Sequence, residues 1–423
     1  MTASPGESRD RLEPEIATEW DAARPLDVEY VRGLYDSKSS FTIGLEDELM
    51  LLDPSTLELV PSSAFALERM SGDARFKREL REAQIEIVTP VSGNATASAL
   101  HVAQARLELD ERLGGDVLVA ASGTHPFSAS WGEIAEAERY RQLAQEFARA
   151  AHGQLPSALH VHIAVPGADR ALAVYNAARS FLPEVGALAA NSPFLDGRDT
   201  GLASVRSELM IAPHRSGTPP SFAAWDAFVD LVEWARRGGV YPDASHLWWD
   251  LRPHARFGTL EFRVADAQTR VEDAAAVAAV IQSLVTWLAG RFDAGEPLPV
   301  HDTGRIAENA WRAARYGTRG NMVDLETGEP EETRHRISRL LTALEPSAER
   351  LRVGWALLTA RALLADNGAE RQRYVAARRG MHGLVTWLAE QTVASASEYL
   401  GHPRRATSGS RAHREGPEKG PSR

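Results

Sequence analysis

The 423-residue chain contains no cysteine. Disulfides, thiolate zinc sites, iron–sulfur clusters and a cysteine nucleophile are excluded together. Lysine is nearly absent too: Lys38, Lys77 and Lys419 are the only three, so arginine supplies almost all of the 47 basic residues. No G-x-x-x-x-G-K-[ST] segment occurs, which removes the lysine-dependent P-loop and leaves arginine and metal ions to hold any phosphate. No apolar run reaches the length of a membrane span, no repeat recurs at solenoid spacing, and the polar N-terminus has no signal-peptide core. A soluble cytoplasmic protein is the expectation. Positive charge is also in deficit, 58 acidic residues against 47 basic ones for a net −11, which argues against nucleic acid or an anionic membrane as partner. Small-molecule chemistry is the class that remains.

The chain is long enough for a full core. Residues 1–27 are polar, and from Pro403 onward there is no Val, Ile, Leu or Phe, with six Arg/Lys against two Glu. Both ends read as disordered, which predicts one domain over residues 28–400 between an N-terminal segment, 1–27, and a basic tail, 401–423. Periodicity predicts helices over 96–113, 133–151, 170–189, 222–237, 270–289, 304–316, 333–344, 347–365 and 370–398, and strands over 41–52, 84–89, 116–121, 158–165, 247–252 and 259–265. The strands lack the regular spacing and Gly-rich turns of βαβ units, and the part beyond Arg270 reads as entirely helical. The expected fold is α+β, a mainly antiparallel sheet backed by helices.

Side chains alternate across a strand, so residue parity separates the two faces. One face collects Phe41, Ile43, Leu45, Leu49 and Leu51, then Ile85 and Ile87, then Leu159, Val161, Ile163 and Val165, then Leu247, Trp249 and Leu251, then Leu260, Phe262 and Val264. The other collects Glu46 and Glu48, Gln84 and Glu86, His160 and His162, Trp248, Asp250 and Arg252, and Glu261 and Arg263. A merely solvated face would scatter Thr, Ser, Lys and Gln among its charges. Carboxylates and imidazoles concentrated in this way repel one another or lose solvation unless cations sit among them. Glutamate oxygens with a histidine nitrogen suit hard divalent ions, and two arginines suit an anionic substrate. Asp47 breaks the apolar parity of its strand and has no assigned part.

These segments resemble the carboxylate–amine ligases of the glutamate–cysteine ligase type 2 family, relatives of glutamine synthetase. The resemblance runs from Phe41 to Arg373 and rests on GLEDELML (44–51), QIEIVTPV (84–91), GTHPF (123–127), LHVHIAVP (159–166), ANSPF (190–194), GRDTGLASVRSE (197–208), WDLRP (249–253), TLEFRVAD (259–266) and ENAWRAARYG (308–317). It implies a curved antiparallel sheet forming a half-open barrel, with ATP and Mg2+ on its concave face. By motif position it implies Glu46, Glu48, Glu86, His160 and Glu261 as metal ligands and Arg263 and Arg252 as catalytic groups at the phosphoryl side, with His162 lining the nucleotide. Arg206 has two readings, a clamp on a substrate carboxylate or a surface arginine, and Asn309 and Arg312 are either substrate contacts or members of a solvated helix face. Asp47 departs from the family's commoner Glu triplet and Ser92 from its Cys, without touching a proposed ligand.

The activity implied is ATP-dependent amide formation through an acyl-phosphate. Glutamate supplies the carboxylate, cysteine or another amine the nucleophile, and the resemblance allows a homodimer. A guanidino-kinase-like phosphotransferase, or a non-catalytic metal- or ligand-binding relative, is the alternative that the same face permits.

Overall fold

The computed structural model describes residues 25–128, 156–211 and 215–401. The helix expected at 133–151 lies outside these residues, as do most of both terminal segments expected to be disordered. Seven strands form one sheet: β1 (Ile43–Leu52), β2 (Phe76–Arg78), β3 (Gln84–Val88), β4 (Leu118–Ala120), β5 (Ala158–Ala164), β6 (Leu251–His254) and β7 (Thr259–Asp266). Their order is β6-β7-β5-β1-β3-β2, with β4 also on β1, and every pair is antiparallel. β1 is the hub because it pairs with β3, β4 and β5.

Twelve α-helices are described: α1 (Val28–Asp36), α2 (Ser63–Arg69), α3 (Ala95–Leu113), α4 (Ala168–Ala178), α5 (Leu182–Ala189), α6 (Val205–Ile211), α7 (Trp225–Arg237), α8 (Val271–Asp293), α9 (Thr303–Tyr316), α10 (Thr333–Leu351), α11 (Gly354–Leu363) and α12 (Gly368–Tyr399). Their ends follow local chemistry. Asp27, Asn94, Asp302 and Asn367 cap α1, α3, α9 and α12 by accepting from first-turn amides, and Gly114 closes α3 in the left-handed conformation at φ 63°. The apolar parity face, with Ile43, Leu45, Leu159, Val161, Ile163, Leu260 and Phe262, joins one core with α3, α4 and α8. Each such fully buried aliphatic side chain contributes about 1.5–3 kcal/mol. α8 runs through the middle, packed on α3, α4, α5, α10, α11 and β5. By length and composition α8 could cross a membrane, but it is largely buried here as a core helix.

Several expectations change. The strand expected over 247–252 is broken at Asp250: Trp248–Trp249 makes a short parallel bridge with Ser216–Gly217, and pairing with β7 begins at Leu251. α10 continues through Pro346 because Leu344, Ser347 and Ala348 are buried, and it stops at Arg352, which sits at φ 58°. The part beyond Arg270 also holds a hairpin, Asn321–Val323 with Pro330–Glu332. α12 is two helical pieces joined at Gly380, whose φ of 67° and ψ of −177° are not helical.

Candidate active site

The polar parity face is one continuous surface in three dimensions. Across the sheet Arg252 stands opposite Glu261, Glu261 opposite His162, Glu46 opposite His160, and Glu48 opposite Glu86, itself opposite Lys77. Cross-strand partners share a face, so the register brings the acids and imidazoles together. Three groups have ligand atoms mutually within 4.8 Å: Glu46, His162 and Glu261; Glu46, Glu86 and His160; and Glu48, Glu79 and Glu86. All five proposed metal ligands therefore fall in these groups.

The contacts are close. His160 Nδ1 is 3.1 Å from Glu46 Oε2, His162 Nε2 is 3.3 Å from Glu46 Oε1, and His162 Nδ1 is 3.0 Å from Thr259 Oγ1. Glu48 Oε2 accepts the Ala158 amide at 2.7 Å. Glu261, 1% exposed, accepts from Arg252 Nε at 2.5 Å and from Arg263 Nη1 at 2.5 Å. Arg252 spends two further donations on the Ser245 and Leu247 carbonyls, which fixes it against the sheet. Arg263 keeps a buried Nε with no hydrogen-bond partner among the described residues.

Protonation follows from these surroundings. Burial alone would raise Glu46, but the His162 and His160 imidazoles outweigh it and hold this carboxyl well below its usual range. Glu261 is likewise held low, its burial outweighed by Arg252 and Arg263. Glu48 goes the other way, pushed up to about 8 by burial and by Glu79, and Glu86 is raised by burial and by Glu46, Glu79 and Glu48. Burial and Arg263 push His160 down to about 4, whereas Glu46 and Glu261 raise His162 against its burial. Raised carboxyls beside depressed ones mean that positive charge is in deficit around Glu48, Glu79 and Glu86, where Lys77 offsets only part of the repulsion. Glutamate oxygens, joined by an imidazole in two of the three groups, make a donor set that fits hard divalent cations.

Arg206 is not a surface arginine. It is 4% exposed, donates to the Arg263 and Val264 carbonyls at 2.8 and 3.3 Å, lies 3.9 Å from Asp266, and leaves Nε buried without a partner among the described residues. Among the described residues, no hydrogen bond or ion pair brings Asn309 and Arg312 to the sheet face. Both ends of the Asn309 amide are taken by the Val323 backbone, at 2.7 and 2.8 Å, and Arg312 pairs with Glu308 one helical turn away.

Sequence reasoning passed over four residues. Glu79 follows β2, a strand too short to show periodicity. His254 and Phe257 stack with ring centroids 4.3 Å apart beside His162; His254 ends β6, two residues beyond the strand expected to 252, and Phe257 lies in the turn that follows. Asp266 was hidden by a β-bulge: the register steps from Phe262 opposite Val161 to Ala265 opposite Leu159, one residue too many on β7. Strict alternation would put Asp266 on the apolar side, but the bulge pairs it with Ala158, on the parity of His160 and His162. There its carboxylate accepts from the Asn191 amide and from the Ser192 and Ser204 hydroxyls at 2.7–2.8 Å, drawing ANSPF and SVRSE onto the end of β7. Gly123 of GTHPF lies so close that a Cβ there would be 2.7 Å from Asp266 Cγ. The loops read from those motifs thus converge on one carboxylate.

An antiparallel sheet lined by acids, imidazoles and arginines and backed by helices is the glutamine synthetase-like architecture of ATP-dependent carbon–nitrogen ligases, and this chain is one of them. It belongs to glutamate–cysteine ligase family 2, whose sequence profile matches residues 42–391. A Rubrobacter xylanophilus protein provisionally named glutamate–cysteine ligase 2-3 is 37% identical over 366 residues, covering 85% of this chain and 99% of that one. A Sorangium cellulosum protein provisionally named glutamate–cysteine ligase 2 is 34% identical over 374 residues, covering 86% and 98%. Among solved structures, the fold is similar to a glutamate–cysteine ligase from Francisella tularensis in complex with AMP, with a TM-score of 0.58, 12% identity and coverage of 88% of this chain and 97% of that one. It is also similar to a bifunctional glutathione synthetase from Pasteurella multocida, with a TM-score of 0.61, 14% identity and 88% of this chain covered; the chain spans 54% of that protein.

Proposed function

We propose that this ligase joins the γ-carboxylate of glutamate to the amine of cysteine, or of another amine, through an acyl-phosphate formed from ATP on the polar sheet face. The observation that carries the reading is the Arg252–Glu261–Arg263 cluster, in register with His162 and adjoining the three acidic groups, within a family named for this chemistry. A carboxylate is a poor electrophile. An oxygen of the substrate carboxylate takes the γ-phosphoryl group from ATP, ADP leaves, and the amine then displaces phosphate from the activated carbon.

Glu46, Glu48, Glu86, His160 and Glu261 would hold Mg2+, with Glu79 and His162 completing the groups. Mg2+, when bound, supplies charge neutralisation for the phosphoryl group in transfer. Arg263 is the arginine with donors to spare, so it faces the transferring group. Arg252 is committed to Glu261 and two carbonyls, so it sets the position of Glu261. The Arg206 guanidinium, buried beside β7, is suited to a substrate carboxylate through its unpartnered Nε. No protein nucleophile is required, in keeping with a chain without cysteine.

The test is an assay with ATP, Mg2+, glutamate and a panel of amines including cysteine, following phosphate release and identifying products by mass spectrometry. One phosphate per amide is expected. ADP without any amide would favour a phosphotransferase, and absence of both ADP and amide a non-catalytic relative. Glu261→Ala and Glu48→Ala should each abolish turnover and weaken Mg2+-dependent ATP binding with the fold retained; normal turnover in both would remove the metal assignment.

A further inference from the structure

Asp250 lies on the polar face but belongs to none of the three groups of potential ligands. Its backbone is pinned on both sides: the amide donates to the Gly217 carbonyl at 2.9 Å, and the carbonyl accepts from the Arg263 amide at 2.8 Å. With Leu251 opposite Phe262, that bond places Asp250 opposite Arg263, on the face that Arg263 shares with Glu261. Its carboxylate makes no hydrogen bond and no ion pair with any described residue. The charged groups that face it are Arg206 from α6 and Arg263 from β7, whose hydrogen bonds go to backbone carbonyls beside Asp266 and to Glu261 rather than to Asp250. Unlike Glu261, at 1% exposure, Asp250 is only partly covered and so remains open to a ligand. An ionised carboxylate fixed in a largely desolvated place without a partner is costly unless a bound group completes it.

The ligase reaction brings such a group. An amine substrate arrives as an ammonium ion, which has no lone pair and cannot attack carbon. Resting on the ligase reading above, we propose that the Asp250 carboxylate receives the ammonium group of the amine substrate and takes its proton as the amide forms. The first nitrogen proton passes to Asp250, freeing the electron pair that makes the N–C bond. The C–O bond to the phosphoryl group breaks with its electrons leaving on phosphate, which accepts the second nitrogen proton, and Asp250 returns its own proton to solvent. Glutamate also carries an ammonium group, at its α-carbon, but that one keeps its proton throughout. Burial raises Asp250 to about 6 against the pull of Arg206 and Arg263, a proton affinity suited to a carrier near neutral pH. Its place opposite Arg263, the arginine assigned to the phosphoryl group, sets it beside the reacting carbon.

Asp250→Asn in the full-length enzyme, assayed with ATP, Mg2+ and glutamate, separates the possibilities when cysteine is compared with hydroxylamine, which is uncharged at neutral pH. kcat/KM for cysteine, or for whichever ammonium substrate the wild type uses, should fall about 100-fold or more, the scale of a lost general base. Hydroxamate formation should fall less than about threefold, and KM for glutamate should stay within about twofold. In the wild type, kcat/KM for the amine should rise with pH through a group near 6 that Asp250→Asn removes, and Asp250→Glu should recover part of the lost rate. Equal loss with both nucleophiles would make Asp250 structural and overturn the inference, as would a raised KM for glutamate with unchanged amine kinetics. A wild type that forms neither amide nor hydroxamate overturns the ligase reading and this inference with it, whereas wild-type turnover with uniform loss in the variant overturns Asp250 alone.

Discussion

Asp47 and Glu48 are adjacent in the chain and opposite in environment. Glu48 faces the polar surface, whereas Asp47 is wholly buried on the other side and takes a two-pronged contact from the equally buried Arg106, at 2.8 and 2.9 Å. Arg106 also donates to the Gln268 and Thr269 carbonyls, so one ion pair joins α3, β1 and the exit of β7. Removing one partner of such a pair strands the other charge: Asp47→Ala should destabilise the protein by about 3–5 kcal/mol, read from the midpoint of urea denaturation. Asp47→Leu with Arg106→Met should recover much of that loss, and an unchanged midpoint in Asp47→Ala would deny the pair any structural part. Arg263 has the opposite profile. Arg263→Ala should lower kcat by about 100- to 1000-fold in the amide assay while the urea midpoint stays close to wild type. Parity made the orientation of Glu46, Asp47 and Glu48 legible in the sequence. Arg106 was not, because its pairing with Asp47 spans 59 positions and nothing local marks an arginine within an amphipathic helix as buried.

Among the elements, legibility followed length. Long amphipathic segments such as α3 and α9 were read to within a residue or two, while α1, α2, α6 and β2 were missed, being nine residues or fewer. The break at Asp250 was invisible because a bridge to Ser216–Gly217 is a tertiary event. α8 is instructive for its one wholly buried amide, Gln282. That side chain accepts from the Ala95 amide at 3.0 Å and donates to the Phe41 and Gly93 carbonyls at 2.9 and 3.2 Å, tying together the start of α3 and the approach to β1. Gln282→Leu would keep the apolar character of α8 yet leave those backbone groups unmatched. A loss of about 1–3 kcal/mol is expected in chemical denaturation, and a neutral or stabilising effect would show that solvent satisfies them instead.

For the molecule as a whole, the charge pattern couples stability to cation and pH. In the metal-free protein, burial and Glu79 raise Glu48 from 4.5 to about 8, and Glu86 moves in the same direction. A folded state that binds protons the unfolded chain has released is most stable below the unfolded value and loses that stability as pH rises through the folded one. His160, His125 and His254, all held low, act in the opposite sense, but only up to about pH 6.5. The thermal midpoint of metal-free protein should therefore fall between about pH 7 and 8, and Mg2+ should raise it more at pH 8, where it no longer competes with those protons. Scanning calorimetry with and without Mg2+ decides, and a Mg2+ effect independent of pH would take Glu48 and Glu86 out of cation binding. The bulge in β7 has a consequence of another kind. Pairing downstream of Phe262 is offset by one position, so Ala265 and Asp266 hold their faces by arithmetic rather than by identity. Adding one more residue between Phe262 and Ala265, with the bulge unchanged, would leave every charged residue of the strand in the sequence and yet turn the end of the strand over, sending Asp266 toward the hydrocarbon layer. Between Glu261 and Asp266 the spacing is itself inherited information, as intolerant of a frame slip as a codon.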